Sequence, residues 1–190
     1  MSLDSSQRLL SIVGTNNDGE RPSLDFYPTP ARATKALLTA ESFTGSIWEP
    51  ACGTGAMSKV LESAGYKVIS TDIAPREYGT QLDFFFAHEL LAPNVVTNPP
   101  FKYAQEFAER ALLLGCEKVA FICKIQFLEG NERSKWLKQT PLKNVYVFSK
   151  RITFFRNGEN KRESEGGGMM TFCWFVWERG YSGKPMVGWI

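Results

Sequence analysis

Short apolar runs recur along this chain, and each stops in polar, glycine or proline residues. Residues 46–49, 67–71, 94–97, 118–123, 145–148 and 170–177 read as strands, the last two by their aromatic, β-type composition. Amphipathic stretches lie between them: residues 30–40, 56–64 and 102–114, with a short basic helix over 131–139. The alternation predicts an α/β domain, whose ligands sit outside the carboxyl ends of the strands. Thr29 followed by Pro30 predicts the first helix start, with a hydroxyl N-cap and proline at the first helical position. The free N–H groups of that start suit a carboxylate or phosphate. Residues 1–24 show no sustained periodicity beyond one helical turn around 7–13. They read as a flexible leader to a domain over 25–190.

Composition narrows the class. The chain's 190 residues, 43% of them hydrophobic, suffice for one domain with a real core. No apolar run approaches the roughly 20 residues of a membrane span. The polar first twenty residues lack the apolar centre of a signal peptide, so the expected location is the cytoplasm, with no membrane partner. Cys52, Cys116, Cys123 and Cys173 show no C-x-x-C spacing and read as reduced, buried thiols. His88 is the single histidine, so no multi-histidine metal site is expected. Net charge is only +2, but residues 131–162 carry nine Lys/Arg against two Glu, a local +7 that leaves −5 elsewhere. Such a run reads either as a phosphate-facing surface or as a solvated face.

Two turns carry candidate chemistry. Asn98-Pro99-Pro100-Phe101 closes a strand and opens a helix. Asn98 brings an amide oxygen. Pro100 biases Pro99 towards an extended shape, which turns the Pro99 carbonyl outward. Phe101 brings a flat face. Two acceptors beside one aromatic suit a planar group bearing an NH2, such as the exocyclic amine of a base. Upstream, Glu49-Pro50-Ala51-Cys52-Gly53-Thr54-Gly55 joins a strand to a helix. Its glycines admit close backbone approach. Position 58 is Ser, so the third glycine of the dinucleotide fingerprint is missing. Glu49 suits an ammonium better than a pyrophosphate. Asp72, 17 residues past Gly55 at the next strand tip, matches a carboxylate gripping ribose hydroxyls, and Ile73 fits an adenine face. Asp83 and Phe84 read equally as an adenine contact and as part of a core-forming Phe84-Phe85-Phe86 run.

In order and spacing, these motifs resemble those of S-adenosylmethionine-dependent amino-methyltransferases. They are most similar to small phage and prophage enzymes that methylate N6 of adenine in DNA. The resemblance covers nearly everything from Asp25 to the end of the chain. It implies a single Rossmann-like class I methyltransferase domain, with a mostly parallel seven-stranded sheet, an antiparallel last strand and helices on both faces. It implies S-adenosylmethionine as cofactor. Tyr27, Thr29, Glu49, Ala51, Gly53 and Gly55 would hold its methionyl part, Asp72 and Ile73 the nucleoside sugar and its neighbourhood, and Asp83 and Phe84 the adenine. Asn98, Pro99, Pro100 and Phe101 would take the flipped target base. The substrate side falls to Lys150, Arg151, Phe154, Phe155 and Arg156, in a long stretch over 149–169 that ends in three glycines. Phe154 and Phe155 read equally as stacking partners and as core. The chain leaves no room for a separate target-recognition domain, so methylation at a very short motif or at many adenines is expected. DNA is the expected partner. RNA adenine, a protein glutamine amide, and non-catalytic nucleic-acid binding are the alternatives. The oligomeric state is not legible.

Overall fold

In the computed structural model, residues 27–154 and 170–190 are described. Eight strands form one sheet: β1 (Ile47–Glu49), β2 (Val68–Asp72), β3 (Thr80–Gln81), β4 (Asn94–Thr97), β5 (Lys118–Lys124), β6 (Leu142–Val147), β7 (Phe172–Glu178) and β8 (Met186–Trp189). The order across it is β3-β2-β1-β4-β5-β7-β6-β8. The first five strands run parallel; β7 is antiparallel to both β5 and β6, and β8 is parallel to β6. Among the described residues four α-helices accompany them: α1 (Ala31–Ala40), α2 (Ser58–Ser63), α3 (Ala104–Leu113) and α4 (Asn131–Leu137).

This corrects the seven-stranded expectation in two ways. Among the described residues there are eight strands, and the antiparallel one is the seventh, slotted between β5 and β6. The last strand is instead a parallel edge strand beyond β6, which covers backbone groups that β6 would otherwise expose. Gly188 permits this pairing, because a Cβ there would come within 3.1 Å of the Tyr146 ring. The first helix start also differs. Pro30 is the N-cap and Ala31 the first helical residue, with no side-chain cap. Thr29 is buried instead of capping.

Alternation along the strands divides the core between the two faces of the sheet. Trp48, Val95, Val119, Phe121, Phe175 and Trp177 face α3, which contributes Phe107, Ala108 and Ala111. Ile47, Val96, Ile122, Trp174 and Val176 face α1 and α2, which contribute Ala33, Leu37 and Leu61. Helices therefore cover both faces, and Trp174 ties its indole N–H to the Ala33 carbonyl at 2.9 Å. Among the described residues no helix is long and apolar enough to cross a membrane.

A polar cluster fastens the amino edge of the sheet. Glu41, just past α1, accepts from Asn144 Nδ2 at 2.7 Å, the Tyr146 hydroxyl at 2.8 Å and Lys118 Nζ at 2.7 Å. Its side chain is 7% exposed, so these donors lose their partner without full access to water if it is removed. Glu41→Ala is expected to cost about 1–2 kcal/mol. Urea unfolding should show a lower midpoint at unchanged slope.

Candidate functional site

Because β1, β2, β4 and β5 are parallel, their carboxyl ends open on one edge. Glu49, Asp72, Asn98 and Lys124 stand at or just past those four tips. A cleft of about 290 Å³ lies there, at the lower end of the range of roughly 300–1,000 Å³ found for small-molecule sites. Its wall brings together Tyr27, Thr29, Glu49, Ala51, Asp72, Ile73, Asp83 and Phe84 with Asn98, Pro99, Pro100 and Phe101.

Asp72 organises the first half of the cleft. One carboxylate oxygen accepts from the Gly53 N–H at 2.8 Å and the other from the Ala74 N–H at 2.9 Å. A carboxylate has about four lone-pair positions, so it can still accept two more bonds. Asp83 is built similarly: one oxygen accepts from the Phe85 N–H at 2.9 Å, while Oδ2 is buried with no hydrogen-bond partner among the described residues. A buried acceptor left unpaired is costly, and a ligand NH group in the cleft would satisfy it. Glu49 is 2% exposed. Burial pushes its carboxyl up to about 8, with the negative charges of Asp72 and Glu62 adding to the rise and the hydrogen bond from Ser58 opposing it. A buried carboxyl that holds its proton this tightly responds strongly to any cation placed beside it.

The second half is the Asn98 turn. Its side-chain amide donates from Nδ2 to the Tyr27 carbonyl at 3.3 Å. That bond fixes the amide orientation and leaves Oδ1 as an acceptor. No hydrogen bond among the described residues engages the Pro99 carbonyl, whereas the Pro100 carbonyl accepts from the Tyr103 N–H at 2.8 Å and starts the helical turn. Phe101 is 38% exposed. Beyond it lies a second cavity of about 190 Å³, lined by Tyr27, Phe101, Lys124, Phe154, Met170 and Phe172 among others. Tyr27 and Phe101 border both cavities. The Phe101 and Phe172 rings are 5.7 Å apart, and Phe154 and Phe172 are 4.4 Å apart.

Several expected contacts have another explanation or place. Gly53 and Gly55 do not line the cleft. Gly53 has a φ of 55° and gives its N–H to Asp72; Gly55 has a φ of 77°, and a Cβ on it would meet the Tyr78 ring at 2.4 Å. Phe84 belongs to the core and also lines the cleft. It is 2% exposed, packed 5.0 Å from both Trp48 and Phe107, and it also reaches the cleft. Phe154 lines the second cavity, while Lys150 and Arg151 are exposed and line neither. Phe155, Arg156 and the leader over 1–24 lie outside the described residues. The described part of the basic run does not form one face: Lys135 pairs with Glu132 and Lys143 with Glu178, and Lys143 sits at the opposite end of β6 from Lys150. Sequence reading passed over Arg76, Phe85 and Lys102 in the cleft and Lys124 in the second cavity. Lys124 alone left a signal, as a cation ending an otherwise apolar strand.

The four cysteines are buried and unpaired. Burial pushes the Cys52 thiol, which lines the cleft, up to about 12, so it is no nucleophile at neutral pH. Among the described residues no three His, Cys, Asp or Glu side chains gather into a set that would hold a metal ion.

No protein-family model and no curated protein matches this sequence. Solved structures do match its fold. One is a protein of Pyrococcus horikoshii proposed to be an RNA methyltransferase, at 15% identity and a TM-score of 0.54, covering 80% of this chain and 85% of that one. Another is the magnesium protoporphyrin IX methyltransferase of Synechocystis PCC 6803 with bound S-adenosylmethionine, at 13% identity and 0.50, covering 77% of each chain. A third is the modification subunit of a proposed type I restriction enzyme from Vibrio vulnificus YJ016, at 12% identity and 0.52, covering 85% of this chain and 46% of that one. The chain thus has the Rossmann-like fold that these methyltransferases share.

Proposed function

We propose that this protein transfers a methyl group from S-adenosylmethionine to the exocyclic N6 amine of an adenine flipped out of DNA. The observation that carries the reading is the Asn98 amide. Its NH2 donates to the Tyr27 carbonyl, and its oxygen is left over as an acceptor in the acid-lined cleft, whose Tyr27 and Phe101 also border the aromatic cavity. The cleft fits the cofactor by its donor set. Asp72 retains two acceptor positions for ribose hydroxyls, Asp83 Oδ2 awaits the adenine amine, and Glu49 waits for a positive charge. S-adenosylmethionine supplies an electrophilic methyl on a sulfonium sulfur.

The chain's own residues do the rest. An adenine amine is a poor nucleophile because its lone pair is delocalised into the ring. Its two N–H groups would donate to Asn98 Oδ1 and to the Pro99 carbonyl, which favours a pyramidal nitrogen. These bonds strengthen as positive charge develops on that nitrogen, so they stabilise the transition state more than the ground state. Phe101 and Phe154 offer faces that offset the lost base stacking, roughly a few kcal/mol. Exposed Lys150 and Arg151 follow the end of β6 on the same edge and suit the phosphate backbone.

Transfer of labelled methyl into separate pools of DNA, RNA and protein tests the substrate class. The expected result is label in DNA. Label confined to RNA or to protein would replace DNA by one of those substrates.

Glu49 gives a second test. Without a cation beside it, its carboxyl is mostly protonated at pH 7, since burial pushes it up to about 8. A cationic ligand stabilises the charged form, so binding should release a proton. Affinity for S-adenosylmethionine should therefore rise as pH rises from about 6 to about 7.5, by up to about tenfold per pH unit. Titration calorimetry should show that slope, and Glu49→Gln should flatten it. The same raised value makes the folded protein bind a proton that the unfolded chain has lost. Glu49 thus lowers stability progressively as pH climbs from 4.5 through about 8.

A further inference from the structure

We infer that Lys124 holds the phosphate of the nucleotide whose base occupies the second cavity, and so makes the site prefer nucleotides in a strand over free nucleosides. The inference rests on the adenine-flipping reading above and assigns a role that reading leaves open. Lys124 is the last residue of β5, and its neighbours in the strand are apolar and buried. Its side chain is half-buried and lines a cavity whose other walls are mostly apolar: Phe101, Ile152, Phe154, Met170 and Phe172. No carboxylate among the described residues pairs with it.

An ammonium group in such a wall needs a partner. Here Nζ lies over the Phe101 ring, 5.3 Å from its centroid. That is the separation at which an aromatic partner would stack on Phe101. A base arriving against Phe101 therefore competes with the ammonium for the ring. The stem of lysine is flexible enough to swing aside, and a flipped nucleotide brings its own anion, the phosphodiester beside its sugar. Exchanging a ring face for a phosphate keeps the charge partnered throughout. By contrast, Lys102 rests over Tyr103 on the cofactor side, and Lys150 and Arg151 are exposed outside both cavities.

The test compares wild type with Lys124→Met and Lys124→Arg on a short single-stranded adenine-containing oligonucleotide and on free adenosine. S-adenosylmethionine affinity, measured by calorimetry, should be the same in all three, which also shows that the variants are folded. For the oligonucleotide, kcat/KM of Lys124→Met should fall about tenfold or more. Its log–log salt slope of binding, read by fluorescence anisotropy, should be shallower by about 0.7, the contribution of one single-strand phosphate contact. Lys124→Arg should recover most of both losses. Any transfer to adenosine, which brings no phosphate, should not fall in Lys124→Met. A Lys124→Met protein with unchanged oligonucleotide kcat/KM and unchanged salt slope overturns this inference and leaves the adenine reading standing. Wild-type protein that methylates no adenine substrate overturns the reading and this inference with it.

Discussion

Replacing Asn98 by alanine should lower methyl transfer at least about a hundredfold, while S-adenosylmethionine binding stays within about threefold, a difference of roughly 0.7 kcal/mol. The split follows from what Asn98 touches. Its Nδ2 donates to the Tyr27 carbonyl, which leaves its oxygen as the acceptor offered to the amine. Losing one acceptor that strengthens as charge develops removes transition-state stabilisation of the kind that costs about two to three orders of magnitude in rate when one preorganised polar group is lost. The cofactor should be held instead by Asp72, Asp83 and Glu49, which the substitution leaves in place. A modest loosening of Tyr27 is expected, since it also borders the cleft. Single-turnover transfer to DNA and calorimetry with S-adenosylmethionine read the two quantities separately. Transfer retained within tenfold would remove Asn98 from the reaction.

Replacing Asp72 by alanine should do the reverse and weaken cofactor binding by roughly 2–3 kcal/mol, about 30- to 150-fold. Two losses combine. Ribose hydroxyls lose a charged acceptor, and the Gly53 N–H, bonded to Asp72 at 2.8 Å, loses the brace that ties the glycine turn to the end of β2. Asp72→Asn separates them, because its amide oxygen can still receive one backbone N–H while the charge is gone. An affinity for Asp72→Asn between wild type and alanine is the expected outcome. If calorimetry finds the alanine variant unchanged, the ribose contact lies elsewhere.

Local chemistry made much of the cleft readable in advance. Glu49, Asp72 and Asn98 each end a short apolar strand in a turn, and strands of like direction bring such tips to one edge whatever the details of packing. Other features needed the third dimension. Residues 84–86 form a 3-10 turn that buries Phe84 in the core and leaves Phe85 half-buried, with both on the cleft wall, and no strand alternation could have placed them. Gly55 looked like a ligand contact but makes room for Tyr78, which is 23 residues further on. The strand β8 was hidden because Pro185 precedes it, Gly188 interrupts it, and three of its four residues are exposed. The basic run looked like one surface because charge was counted along the chain; β6 carries Lys143 to the far edge, where it pairs with Glu178. Lys124 ends a strand that is read by its apolar residues, and only the approach of Phe101 and Phe172 gives it a setting.

Incubating the purified protein with unmethylated DNA and S-adenosylmethionine carrying a deuterated methyl group, then digesting the DNA to nucleosides for mass spectrometry, tests the central claim most directly. The account predicts deuterated methyl on N6-methyladenine and on no other nucleoside, with the signal lost in Asn98→Ala. Label on cytosine instead, or none on any nucleoside while the protein binds the cofactor, would contradict it.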